Sequence, residues 1–344
     1  MMQTGRAQEG RGWRGVGLVG AGVVTVALAG VMLTRALTGS GPAGADASPA
    51  AIEARVEAAV SAARAQTLQG RHDRAEAILR DALDRDPSSA DLRIALAECL
   101  LDQDRPAEAY EQYNEAIGLT PDRAELHAAA GTVASVAGLL ERAEAHYRTA
   151  QTLDPTNPKH ALNLGVIERT LGKPDAARAD LLRAAQLAPT LAVAWGALAD
   201  LSLDENRLDM AEHYIAKALA LEPDRPAWRL THARILRRQG DPERAAVMLA
   251  ALSDEQDRPD PIILRERALC LGLLGRQDEA AALYDRACQT GHPDPAVQAE
   301  LLYEAALWHE RLGQTARASD FAAQAADLGD PRAARLRDRL ARGG

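Results

Sequence analysis

The sequence predicts an all-α protein built as a helical solenoid, and two observations carry that prediction. Hydrophobic residues make up 47% of the 344 residues but aromatic residues only 3%, so Ala and Leu supply most of the apolar content. These residues favour helices, whereas a β-sheet protein needs Val, Ile, Thr and aromatic residues. The second observation is a period of 34 residues, which is typical of repeat proteins. It is marked by Pro87, Pro121, Pro155, Pro189 and Pro223.

Small and bulky residues keep the same register as these prolines. Small side chains let two helices approach closely, bulky ones fill the space between repeats, and a proline ends a helix because it lacks an N–H group. The small column is Ala75, Ala109, Ala143, Ala177 and Ala211. The bulky column is Leu79, Tyr113, Tyr147, Leu181 and Tyr214. Gly70, Gly138 and Gly172 mark the turn between the two helices of a repeat.

These columns resemble the tetratricopeptide repeat. The resemblance implies a right-handed superhelical solenoid of helix hairpins, with about eight repeats over residues 51–330. The last three copies lack the terminal proline but keep the small-residue columns. Residues 331–344 are predicted to form a C-terminal capping helix, because a solenoid needs a polar element over its end.

The N-terminal residues predict one membrane-spanning helix. Residues 15–34 carry no charge and are long enough, at about 30 Å, to cross a bilayer. Arg6, Arg11 and Arg14 precede this stretch, which places residues 1–14 in the cytoplasm. Residues 35–50 form a flexible linker, and the repeats are then periplasmic on a single-pass protein of the plasma (inner) membrane. A cleaved signal peptide is the alternative.

Composition and motifs favour a protein that acts by binding. The net charge of −9 argues against nucleic acid as a partner. The sequence has no HExxH, Walker, GxSxG or CxxC motif, and its eight histidines lack ligand spacing. We therefore expect no enzyme activity, no cofactor and no metal. GxGxxG at residues 15–20 falls inside the apolar stretch, where a dinucleotide site has no strand before it.

The resemblance also implies a ligand groove lined by the first helix of each repeat. Early repeats place acidic residues there, and later repeats place basic and amide residues. Lys159 and Asn163 resemble part of the carboxylate clamp of some family members, but Val193, Ala197 and Asp200 break that pattern. An acidic protein or peptide partner and a merely solvated groove are both left open. The candidate groove residues are Lys159, Asn163, Arg234, Arg237, Arg238, Arg265 and Tyr303.

The predicted function is a non-catalytic scaffold or adaptor tethered to the membrane. Proteins of this layout resemble assembly factors for envelope complexes, exported-polymer machinery or c-type cytochromes. One alternative is a structural membrane protein that forms homo-oligomers through its membrane helix, on the small-residue face Gly17, Ala21, Thr25 and Ala29. Another is an accessory subunit of an enzyme carried on a separate chain.

Overall fold

A computed structural model describes residues 48–254 and 258–343. Within these ranges the chain forms α-helices and no strand, so the predicted all-helical solenoid is confirmed. The helices are α1 (Pro49–Thr67), α2 (His72–Arg85), α3 (Ala90–Leu101), α4 (Pro106–Leu119), α5 (Ala124–Val136), α6 (Leu140–Leu153), α7 (Pro158–Thr170), α8 (Pro174–Leu187), α9 (Ala192–Asp204), α10 (Leu208–Leu221), α11 (Pro226–Arg238), α12 (Pro242–Asp254), α13 (Pro261–Leu273), α14 (Gln277–Thr290), α15 (Pro295–Arg311), α16 (Thr315–Asp327) and α17 (Pro331–Gly343).

Helices α1 to α16 form eight hairpins, each with an odd-numbered A helix followed by an even-numbered B helix. Each helix packs mainly against its neighbours in sequence, which is the arrangement of a solenoid. The column prolines lie two residues beyond the B helices. For example, α4 ends at Leu119 and Pro121 follows. The next A helix then begins three residues after the proline, as α5 does at Ala124.

The turn from the A helix to the B helix needs a residue in the left-handed backbone region. Gly138 adopts it with φ of 75°, at no steric cost because glycine lacks a Cβ atom. Two repeats use Asp104 and Asn206 instead, each with φ of 57°. Asn and Asp tolerate this region better than other residues with side chains. The turn therefore keeps the same backbone conformation in these two repeats, although they have no glycine there.

Small residues occupy the helix crossings, as the sequence predicts. Ala143 has none of its surface exposed and Tyr147, one turn later on α6, has 4%. Elsewhere a glycine lets an aromatic ring of the next repeat approach the backbone. A Cβ atom added to Gly196 would lie 2.2 Å from the Trp228 ring. Here the apolar core extends from one hairpin into the next.

Successive hairpins are also joined by a recurring hydrogen bond. The fourth residue of an A helix reaches back to the carbonyl of the column proline before it. Trp195 Nε1 donates to the Pro189 oxygen at 2.8 Å, and Arg93 Nη2 donates to the Pro87 oxygen at 2.9 Å. These bonds satisfy a carbonyl group of the loop between two helices.

Helix α17 packs against α16 at the C-terminal end of the stack. Ala333 and Leu336 are its buried residues, with 0% and 4% of their surface exposed. No helix among the described residues is long and apolar enough to cross a membrane. The predicted membrane helix at 15–34 lies outside those residues.

Candidate functional site

The A helices lie closer to one another than the B helices do. Helix α1 packs against α3, and α9 contacts both α7 and α11, whereas no two B helices of the described chain pack comparably. A stack with one closely spaced layer curves toward that layer, so the A helices line its concave side. We call this surface the A face. It comprises Lys159, Leu162, Asn163, Val166, Arg169 and Thr170 of α7 and the residues at equivalent positions of the other repeats.

Polar contacts connect α7, α9 and α11 across the A face. Arg169 Nε donates to Asp204 Oδ2 at 2.7 Å, and Thr231 Oγ1 donates to Asp200 Oδ1 at 3.0 Å. Burial raises the pKa of the Asp200 carboxyl, against the opposing effect of the nearby Arg169 guanidinium. These contacts fix the spacing of three consecutive A helices.

The same kind of contact continues through α13 to α15. Arg234 Nε donates to Glu266 Oε1 at 2.9 Å, and Arg237 Nη2 donates to Glu266 Oε2 at 3.1 Å. Burial alone would raise the pKa of the Glu266 carboxyl, but Arg234 and Arg237 hold it below its usual value. Arg265 Nε then donates to Glu304 Oε2 at 2.7 Å. Three of the candidate arginines are therefore ion-paired within the free protein.

The remaining candidates have no carboxylate partner among the described residues. Arg238 is exposed and its Nη1 donates to the Leu203 carbonyl at 2.6 Å. Lys159 is exposed and Asn163 is half-buried, one turn apart on α7. Helix α9 lies between these two residues and the arginines of α11. The structure therefore brings the arginines together but leaves Lys159 and Asn163 as a separate pair.

Tyr303 faces the end of the stack. The Arg332 guanidinium of α17 lies 4.6 Å from the centroid of the Tyr303 ring. This cation–π contact joins α15 to the C-terminal helix.

The residues that the sequence reading missed are the acidic partners of these arginines. Asp204 lies 35 residues after Arg169, and Glu304 lies 39 residues after Arg265. These separations are close to one repeat, so a search for opposite charges one repeat apart could have found them. Because arginines and carboxylates alternate, this part of the A face is not a basic strip.

Half-buried apolar side chains lie between the ion pairs. Leu162, Val166 and Val193 pack against the core of α7 to α10, and Leu230 and Leu269 pack against the core of α11 to α15. Each of them keeps part of its surface open to solvent. A partner that covered this strip would gain apolar burial without leaving the arginines unpaired.

A group of charges with two buried carboxylates, Glu144 and Glu168, between the third and fourth hairpins was also missed. Arg148 Nη2 donates to Glu144 Oε1 at 2.7 Å and to Glu168 Oε1 at 3.0 Å. Glu168 is 1% exposed. Burial, and then the neighbouring Asp180 carboxyl, raise its pKa to about 7, while Arg148 acts in the opposite direction. No pattern in the sequence indicates this group, since Glu168 lies among other polar residues near the end of α7.

No group of three His, Cys, Asp or Glu side chains suited to a metal ion occurs in residues 48–254 and 258–343. The three cysteines are free thiols. What the structure does present is a concave surface of apolar side chains and internally paired charges. The fold and this surface together define a helical-repeat protein of the kind that binds other proteins.

Comparison with protein families agrees with that class. Two family models, both described as tetratricopeptide repeat, match the chain, one over residues 66–131 and the other over 128–192, 197–252 and 230–297. Together the matches cover more than half of the sequence. The chain belongs to the tetratricopeptide repeat family. None of the curated proteins matches it significantly.

Solved structures share the fold at low sequence identity. A tetratricopeptide repeat protein from Parabacteroides merdae is 18% identical, with a TM-score of 0.64 over 73% of this chain and 99% of that one. Yeast Tom70 is 19% identical, with a TM-score of 0.57 over 79% of this chain and 57% of Tom70. PilW, a type IV pilus biogenesis factor, is 22% identical, with a TM-score of 0.51 over 58% of this chain and 92% of PilW.

Proposed function

We propose that this protein is a non-catalytic scaffold that holds a protein partner on the A face of α7 to α13, tethered to the membrane with its repeats outside the cytoplasm. The observation that carries the proposal is the concave surface itself. Its half-buried apolar residues are already fixed in place by the ion pairs between A helices. A preformed surface of this kind binds with little loss of conformational entropy.

The chemistry of this surface suggests how a partner would be oriented. Leu162, Val166 and Val193 offer apolar contact. Lys159 lies on α7 with Leu162 and Val166, and Arg238 lies on α11, beyond Val193 of α9. Neither cation has a carboxylate partner among the described residues. An acidic residue at each end of the partner segment would pair with these two cations. Internally paired arginines contribute less, because a partner would have to compete with Glu266 and Glu304.

Charge reversal at the two unpaired cations tests this arrangement. Lys159→Glu with Arg238→Glu should weaken retention of partners from solubilised membranes and leave the unfolding midpoint nearly unchanged, since neither side chain makes an ion pair. The matched control is Arg74→Glu with Arg286→Glu, two exposed arginines on the B helices α2 and α14. Equal retention by both variants would rule out this part of the A face as the binding surface.

The cellular role that we propose is the assembly of an envelope complex. It is supported by the uncharged stretch at residues 15–34 with arginines before it, and by the fold shared with a pilus biogenesis factor. A reporter enzyme that works only outside the cytoplasm should be active when it is fused after Gly344. The full-length chain should stay in the membrane fraction. A reporter signal typical of the cytoplasm would refute the orientation.

A further inference from the structure

We propose that two copies of this chain associate head to tail, with the outer face of α17 of one copy docked on the A face of α1, α3 and α5 of the other. This contact uses neither the surface of α7 to α13 nor the N-terminal segment. It is therefore independent of the proposed scaffold function.

The outer face of α17 is basic and has no packing partner. Helix α17 packs against α16 and, through Ala333 and Leu336, against Leu302 and Ala306 of α15, and its outer face lies on the opposite side. Arg335 and Arg342 are exposed, and neither meets a carboxylate in the described part of the chain. The ion pairs formed by the other arginines of α17 are with Asp330, Asp338 and Glu310, and they leave this face with an excess of positive charge. The arginines of α17 are Arg332, Arg335, Arg337, Arg339 and Arg342.

The A face of the first three hairpins is acidic. Glu57, Asp91 and Glu125 occupy the same position of α1, α3 and α5, 34 residues apart. Glu98 lies near the end of α3, and Asp102 directly follows the helix. All five residues are exposed. The described arginines near them are Arg123, at 3.4 Å from Asp91, and Arg64, at 3.7 Å from Glu98, and these pairs are themselves exposed and therefore weak.

The two surfaces also agree in length. Adjacent helices pack about 10 Å apart, so Glu57 and Glu125 should be separated by about 20 Å. Helix α17 spans Pro331–Gly343, which corresponds to about 20 Å at 1.5 Å per residue. A helix laid across α1, α3 and α5 would place its unpaired Arg335 and Arg342 beside the row of carboxylates.

The charge pattern decides which part of the A face receives the basic helix. From α7 to α15 the carboxylates are already paired with Arg169, Arg234, Arg237 and Arg265. From α1 to α5 most of them are not. Every copy carries one basic α17 and one acidic receiving surface, so a second copy always supplies the matching charge. Such a head-to-tail contact pairs two different surfaces, and each associated pair keeps one of each free.

Sedimentation velocity of the full-length chain in detergent tests the proposal. Three charge variants are compared with the original protein. The tail variant is Arg335→Glu with Arg342→Glu, the face variant is Glu57→Lys with Glu125→Lys, and the control is Arg74→Glu with Arg286→Glu. Circular dichroism confirms that each variant is folded before its mass is measured.

The original protein and the control should associate at low salt and dissociate as salt screens the contact. The tail variant and the face variant should each raise the dissociation constant by about tenfold or more. An equimolar mixture of these two variants should associate again. In that mixture a Glu-bearing α17 meets a Lys-bearing face, and an Arg-bearing α17 meets an acidic face.

Three results would overturn the proposal. The first is a protein that stays monomeric at every salt concentration. The second is association that neither variant weakens, as expected for self-association through the N-terminal segment. The third is a mixture of folded variants that remains monomeric, which would show that α17 and the acidic face do not contact each other.

Discussion

Gly165 marks the closest approach of two helices in the fourth hairpin, and its replacement by alanine tests the helix packing directly. An added Cβ atom would lie 2.8 Å from Leu181 Cγ and 3.0 Å from the Ala177 carbonyl oxygen. Favourable carbon contacts need about 3.5–4.0 Å. Leu181 is fully buried, and the second contact is with backbone. The helices α7 and α8 must therefore separate by several tenths of an ångström.

The expected free-energy change combines two opposing effects. Overpacking a core costs about 1–3 kcal/mol, whereas replacing glycine by alanine within a helix gains about 0.5–1 kcal/mol. Gly165→Ala should therefore lower the free energy of unfolding by about 0.5–2 kcal/mol. Gly118→Ala on α4 is the matched control, because no atom lies within 4 Å of the Cβ position there. It should raise stability by about 0.5–1 kcal/mol.

Urea denaturation followed by circular dichroism measures both variants. The result that would refute the reasoning is a Gly165→Ala protein that gains stability as Gly118→Ala does. The α7 and α8 backbones would then lie farther apart than described. Other repeats already carry alanine at this position, at Ala97 and Ala199, so such a gain would mean that the fourth hairpin packs like those repeats.

Three further outcomes follow from burial and charge. Because the pKa of Glu168 is raised to about 7, the folded protein holds this proton more tightly than the unfolded chain, so the free energy of unfolding should fall as pH rises from about 4.5 through 7. Urea midpoints from pH 5 to 8 should show this slope, and Glu168→Gln should flatten it; an unchanged slope would contradict the assignment. Ala143→Leu should cost about 1–3 kcal/mol, whereas Glu141→Ala on the exposed side of α6 should stay within about 0.5 kcal/mol, and equal melting shifts would mean that the helix register is wrong. Arg234→Ala should cost about 2 kcal/mol by removing a charged hydrogen bond from buried Glu266, and a thermal melt that does not move would show that this ion pair is not formed in solution.

Much of the fold was predictable because each repeat places the same residue types at the same packing positions. Pro121 and Ala143 each belong to a column that recurs every 34 residues. The period stays recognisable even where one repeat departs from it. Where a repeat lacks the turn glycine, a residue that tolerates the left-handed backbone region replaces it, as Asn206 does. The helix hairpins and the small-residue crossings are therefore predictable from the amino-acid sequence.

The site was less predictable, because it depends on contacts between repeats. Arg234 and Arg265 were identified as groove residues from their positions along the A helices. Their pairing with Glu266 and Glu304 depends on side-chain geometry across two helices, which a single helical pattern does not contain. The same is true of Glu168, whose burial arises from the packing of α7 against α6 and α8.

Residue-specific photocrosslinking tests the central claim that the concave A face holds the partner. A photoreactive amino acid replaces Val166 on the A face of α7 in one chain and the exposed Ala179 on the B helix α8 in the other. Both chains are expressed in the native cell and irradiated before the membranes are solubilised. Crosslinks to a distinct protein from position 166 and not from position 179 are the predicted result. Crosslinks to that protein from position 179 and none from position 166 would contradict the account.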